Sequence, residues 1–61
     1  MCELKVYLDE NQVFEDAVYA NSTNGNITLR SIIGQVKEFK DCHIAEVDIA
    51  SERLILVKNK H

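Results

Sequence analysis

The side chain with the clearest potential for chemistry is Cys2, directly behind the initiator methionine. Packing alone does not explain it, because the N-terminus of a small domain is usually frayed and polar. If the methionine is removed, the thiolate, the α-amino group and the next amide nitrogen converge from one residue. Such nitrogen–sulfur donor sets suit Ni(II) or Cu(II) better than a hard ion such as Mg²⁺. Cys2 is therefore a candidate metal ligand, and an incidental thiol is the alternative.

Cys42 and His43 are a second pair of potential ligands. Adjacent residues of a strand point to opposite faces, so they rarely chelate one ion together, although a turn would relax this restriction. The alternative interpretation makes Cys42 a small core residue and His43 an ordinary strand residue. No C-x-x-C or H-x-x-x-H spacing is present, so a zinc finger has no support. A complete site would need these residues close to Cys2, or a second copy of Cys2.

The acidic residues do not predict a catalytic site. Glu15 and Asp16 are neighbours and are interpreted as a solvated bend, whereas Glu46 and Asp48 share a strand face that could hold a hard cation weakly. The chain has no G-x-S-x-G motif, no phosphate-binding glycine loop and no nucleophile–base pair. We therefore expect no enzymatic activity. A net charge of −3 and the lack of a basic stripe count against nucleic-acid binding.

Alternating apolar and polar residues predict that these groups are positioned by strands. The pattern predicts short strands in the following segments: 2–8, 13–20 with a bend or bulge at 15–16, 27–31, a short lysine-rich stretch around 36–39, 43–49 and 54–57. A short helix is the alternative over 13–20, but the β-branched and aromatic residues there favour a strand. Polar turns separate them, at 9–12, at Asn24-Gly25 as a type I′ hairpin, and at Gly34 as a corner. The sequence thus predicts an all-β fold, a small barrel or curled sheet.

A chain of 61 residues makes a single domain, 1–61, of marginal stability. No signal peptide is recognisable and no stretch approaches the ~20 apolar residues of a membrane span, so we expect a cytoplasmic protein with reduced cysteines. The continuous apolar run 54–57 is typical of a strand covered on both sides, here by the core and by a partner. This predicts a homodimer, in which a residue on the two-fold axis meets its own copy, although a different partner protein would serve the same purpose.

The sequence also resembles the CooT family over nearly its whole length. The resemblance rests on the Met1-Cys2 start and on the spacing of these segments: Glu15–Val18, the turn at Gly25, Ile27–Leu29, Gly34, Ile44–Ile49 and Leu54–Leu56. Of these, only the Met-Cys start is a sharp motif.

This resemblance implies an Sm-like, SH3-like barrel of five to seven short antiparallel strands that forms homodimers. It implies a nickel-binding accessory protein or metallochaperone that assists metal insertion into a client enzyme such as carbon monoxide dehydrogenase. The second-position cysteine, here Cys2, would bind one Ni(II) per dimer together with its mate. Zinc or copper remain open as the metal. Other maturation factors are further candidate partners. An RNA-binding module and a metal-independent interaction domain that docks through the 54–57 face are the alternative functions.

Overall fold

The computed structural model describes residues 3–60, which form an all-β fold with no helix among them. The strands are β1 Leu4–Leu8, β2 Asn11–Thr23, β3 Asn26–Ser31, β4 Val36–Phe39, β5 Cys42–Asp48 and β6 Arg53–Lys58. They make one six-stranded sheet in the order β4-β3-β2-β1-β6-β5. Consequently, residues 3–60 contain no helix that could cross a membrane.

The sheet is mixed, so the expectation of purely antiparallel strands is wrong for one pair. β1 and β6 run parallel, with Val6 opposite Leu54. Parallel neighbours need a long connection, and here the four intervening strands supply it. Within residues 3–60 the outer strands β4 and β5 do not pair with each other, so the hydrogen-bonded ladder is not closed into a barrel.

Strand β2 is long and irregular, and it bends the sheet. Its first half pairs with β1 and its second half pairs with β3, and the two pairings meet at Ala17. An extra residue of β2 lies between the Leu4–Ala17 and Val6–Phe14 pairs, and Asp16 has a φ of +57°. The predicted bulge at 15–16 is therefore confirmed. Bulges increase local bending and twist, which lets one strand serve two parts of the sheet.

The predicted hairpin turns are confirmed by their backbone angles. Asn24 and Gly25 have φ values of +52° and +78°, as a two-residue type I′ turn requires. Asp9 and Glu10, with +52° and +68°, form the corresponding turn between β1 and β2. Gly34 has a φ of +89° in the corner between β3 and β4, a conformation that glycine adopts without steric cost.

The core lies on the concave side of the bent sheet. Its fully buried apolar residues are Val6, Ala17, Ile27, Leu29, Cys42, Leu54 and Leu56. Ser31 is buried beside Ile27 and Leu29, so the predicted common face of β3 is confirmed. Near the Asn24-Gly25 turn the two outer parts of the sheet approach each other, because the Cys42 amide donates a 2.8 Å hydrogen bond to the Gly25 carbonyl. We call this region the closed end.

Candidate functional site

The opposite end of the sheet is where β1 begins, and we call it the open end. Leu4 pairs with Ala17, which in turn pairs with Ser31 at the end of β3. On the other side of β1, Lys5 lies opposite Arg53 at the start of β6. The register therefore brings the starts of β1 and β6 and the end of β3 to one end of the molecule, together with the β5–β6 turn.

Large aliphatic side chains are exposed at the open end. Ile33 is the most exposed of them, at 80%. The others, between about two-fifths and two-thirds exposed, are Val18, Ile32, Val36, Val47 and Ile49. Single exposed apolar residues are ordinary, but several at one end of a small domain are typical of a contact site for another molecule.

A small recess lies beside these side chains. It has a volume of ≈ 100 Å³ and is lined by Leu4, Ala17, Val18, Tyr19, Ala20 and Leu54. One wall is fixed by the Arg30 guanidinium, which lies 4.5 Å from the centre of the Tyr19 ring. The recess is thus a mainly apolar hollow at the start of β1.

Cys2, the predicted metal ligand, lies outside the described residues, as do Met1 and His61. The first described residue, Glu3, precedes β1 at the open end. The assignment of Cys2 therefore stays a prediction, and what the structure supplies is the surroundings of the point at which the chain enters the sheet.

Cys42 and His43 do not form a chelating pair. Cys42 is 1% exposed, and its thiol lies 3.5 Å from the Phe39 carbonyl, to which it donates. Burial raises the pKa of Cys42, the negative charge of Asp41 raises it further, and Lys58 opposes the change. His43 is exposed, with Nδ1 2.6 Å from the Asn59 side-chain oxygen. Cys42 is thus a protonated core thiol, whereas metal binding requires a thiolate.

The acidic candidates are held by local structure. Asp16 occupies the β2 bulge, and Glu15 beside it is exposed. The pKa of Asp48 is lowered first by a hydrogen bond from the Ser51 side chain and then by the Ser51 amide, which donates to the Asp48 carboxylate over 3.3 Å in the turn after β5. Glu46 lies on the same strand face, opposite Ile55. Across residues 3–60, no three His, Cys, Asp or Glu side chains are grouped to hold a metal.

The exposed apolar end was not predicted from the sequence. The run 54–57 was expected to face the core on one side and a partner on the other. Leu54 and Leu56 are core residues as expected, while the other side is less exposed than the open end, with Ile55 half-buried and Val57 39% exposed. The break in alternation at Ile32-Ile33 was the available signal, since two consecutive isoleucines cannot both face the same core. Alternation over 43–49 was misleading, because Cys42 and Ile44 pack into or against the core, whereas Val47 and Ile49 of the alternating set are about half exposed.

Together, the fold and the open end define a small all-β domain whose most distinctive surface is apolar. The family model described as "CO dehydrogenase accessory protein CooT" matches residues 1–57. The chain belongs to the CooT family, which confirms the resemblance, and membership implies an accessory role for CO dehydrogenase. No curated protein matches the chain.

Proposed function

We propose that the protein is a nickel-binding accessory protein, or metallochaperone, that assists metal insertion into CO dehydrogenase and has no enzymatic activity of its own. In this proposal, a homodimer binds one Ni(II) through its two Cys2 thiolates, and backbone nitrogens near residues 2 and 3 complete the ligand set. The observation that carries the proposal is the match to the CooT family over residues 1–57, which includes the Met1-Cys2 start.

The geometry of the open end supports a dimer of this kind. The chain enters β1 beside the exposed side chains of Val18 and Ile32. A symmetric contact through this surface would bury apolar area and would bring the starts of the two chains together. Symmetry then supplies the second thiolate that a single chain lacks.

The proposed architecture is an Sm-like barrel completed by the bend of β2. The bulge at Asp16 turns the sheet, and the hydrogen bond from Cys42 to Gly25 joins its two outer parts at the closed end. This arrangement supports the barrel assignment, although strands β4 and β5 are not paired within residues 3–60.

Nickel titration of the wild type and of Cys2→Ser tests the metal site. We expect the wild type to bind one Ni(II) per two chains with a thiolate-to-metal charge-transfer band, and Cys2→Ser to lose both. Binding should weaken as pH falls, because the thiols must release protons. Cys42→Ala is the matched control and should keep the site, since the Cys42 thiol is buried. Retention of one tight nickel and an unchanged spectrum in Cys2→Ser would refute the assignment, and titrations with Zn(II) and Cu(II) establish metal preference.

A metal-independent interaction domain is the second candidate, and the exposed apolar open end favours it. Under this alternative, binding to purified CO dehydrogenase would be unchanged by a chelator and by Cys2→Ser. An RNA-binding role has less support, because the net charge is −3. RNA affinity that falls steeply with salt would be its signature.

A further inference from the structure

The backbone around Ile33 is held by hydrogen bonds in a position that leaves its side chain 80% exposed. The corner that carries it is closed by backbone hydrogen bonds from Ser31 to Gln35 (2.8 Å) and from Gly34 to Ser31 (2.9 Å). A third bond, 2.9 Å long, joins the Ile32 amide to the Asp16 carbonyl and fixes the corner to the β2 bulge. The backbone that carries Ile33 is thus preorganised, so little backbone freedom is lost when another surface covers the side chain.

The recess at the start of β1 has the size and chemistry to receive such a projection. A volume of ≈ 100 Å³ is several times the roughly 10–15 Å³ that one water molecule needs, so the recess has room for the four carbons of an isoleucine side chain. Leu4, Ala17 and Leu54 supply apolar walls. The contact between Arg30 and Tyr19 keeps a further wall in place.

The projection and the recess belong to the same chain and lie at the same end of it. We propose that Ile33 of one copy inserts into the recess of a second copy, and that the two-fold axis repeats this contact in the opposite direction. Because both features lie at the open end, the exchange closes after two chains instead of propagating into a filament. This inference rests on the homodimer of the proposed function and assigns its contact residues.

Sedimentation equilibrium of the metal-free protein tests this contact. Ile33→Asp places a charge at the proposed interface, and we expect it to raise the dimer dissociation constant at least tenfold. Ala20→Leu fills the recess from its own wall and should weaken the dimer similarly. The fold should tolerate this change, because Ala20 is exposed. Val57→Asp is the matched control, since Val57 is an exposed residue nearer the closed end and its variant should remain dimeric. Circular dichroism checks that each variant is folded.

A cross-link gives an independent readout. In a Cys2→Ser background, a mixture of Ile33→Cys and Ala20→Cys chains treated with diamide should form a mixed disulfide dimer, whereas Val57→Cys in place of Ile33→Cys should not. An Ile33→Asp protein that dimerises as tightly as the wild type would overturn the inference. So would an Ala20→Leu protein with unchanged dimerisation, since the recess would then be filled by something other than Ile33 of a second copy. A dimeric Ile33→Asp protein that still binds nickel through Cys2 would leave the proposed function intact. Conversely, a Cys2→Ser protein that loses nickel binding but stays dimeric would show that the dimer contact does not depend on the metal site.

Discussion

The role of an individual residue in this protein depends on whether its side chain is buried in the core or exposed. Cys42 shows how the surroundings decide the role of a thiol. Its side chain is buried at the start of β5 and donates to the Phe39 carbonyl, which favours the neutral form. It is therefore a packing residue that happens to be ionisable.

The titration of Cys42 predicts a pH dependence of stability. Its pKa is raised in the folded protein by burial and by Asp41, so the folded state holds the thiol proton more tightly than the unfolded chain does. The resulting stabilisation is complete below the unfolded pKa of about 8.5 and is lost as the pH rises through the higher folded value. Urea denaturation between pH 7 and 10 should show the free energy of unfolding decreasing over this range. Cys42→Ala should show a flatter profile; an identical slope would contradict the assignment.

Gly34 is a second residue whose role is set locally. Its φ of +89° disfavours any L side chain, although no atom lies within 4 Å of an added Cβ. We expect Gly34→Ala to lower the free energy of unfolding by about 1–2 kcal/mol through backbone strain alone. Equilibrium urea denaturation measures this change. The neighbouring Gln35→Ala, at an exposed position without that strain, should change stability by less than about 0.5 kcal/mol.

At the scale of elements, β6 carries much of the fold because it lies between β1 and β5. Leu54 and Leu56 point into the core, while Ile55 is half-buried and Val57 is exposed on the other side. The run 54–57 is therefore apolar on both faces of β6, but only the face with Leu54 and Leu56 is fully buried.

Alanine substitutions along β6 should reveal this difference. Leu54→Ala removes a side chain that is 1% exposed and should cost about 2–5 kcal/mol, enough to unfold much of so small a domain. Val57→Ala should cost less than about 1 kcal/mol, since its side chain is already partly in water. Thermal denaturation of both variants at one protein concentration compares them. Equal losses would indicate that a partner covers the outer face of β6, as the sequence pattern had suggested.

For the whole molecule, size limits stability. A chain of 61 residues buries only about 60% of its unfolded surface, so association contributes usefully to the folded state. The exposed aliphatic side chains at the open end are the surface with most to gain from such association.

Mass action converts the proposed association into a measurable effect. The melting temperature of the metal-free protein should rise with protein concentration, because only folded chains associate into the dimer. For Ile33→Asp the melting temperature should depend less on concentration, because its dimer dissociates more readily. Nickel should stabilise the wild type further and a chelator should reverse this, while Cys2→Ser should keep the concentration dependence and lose the nickel effect. A concentration-independent wild type would argue against the dimer.

The sequence by itself determined the all-β class, the strand count, the hairpins and the bulge at 15–16, and the Met1-Cys2 start already indicated the family. These features are local: alternation sets which face a side chain takes, and positive φ values favour Asn, Asp and Gly at turns. The nickel site and the dimer rest on that same start and on family membership, and they remain proposals.

Only the tertiary structure decided the parallel pairing of β1 with β6 and the position of the exposed apolar surface. The first depends on which distant strands meet, and no local pattern encodes this. The second depends on where the sheet bends and on which strand ends the core leaves uncovered, as at Val47. A composition rich in apolar residues can predict that some apolar side chains stay exposed, but the folded sheet determines where, and here many of them lie at the end where β1 begins.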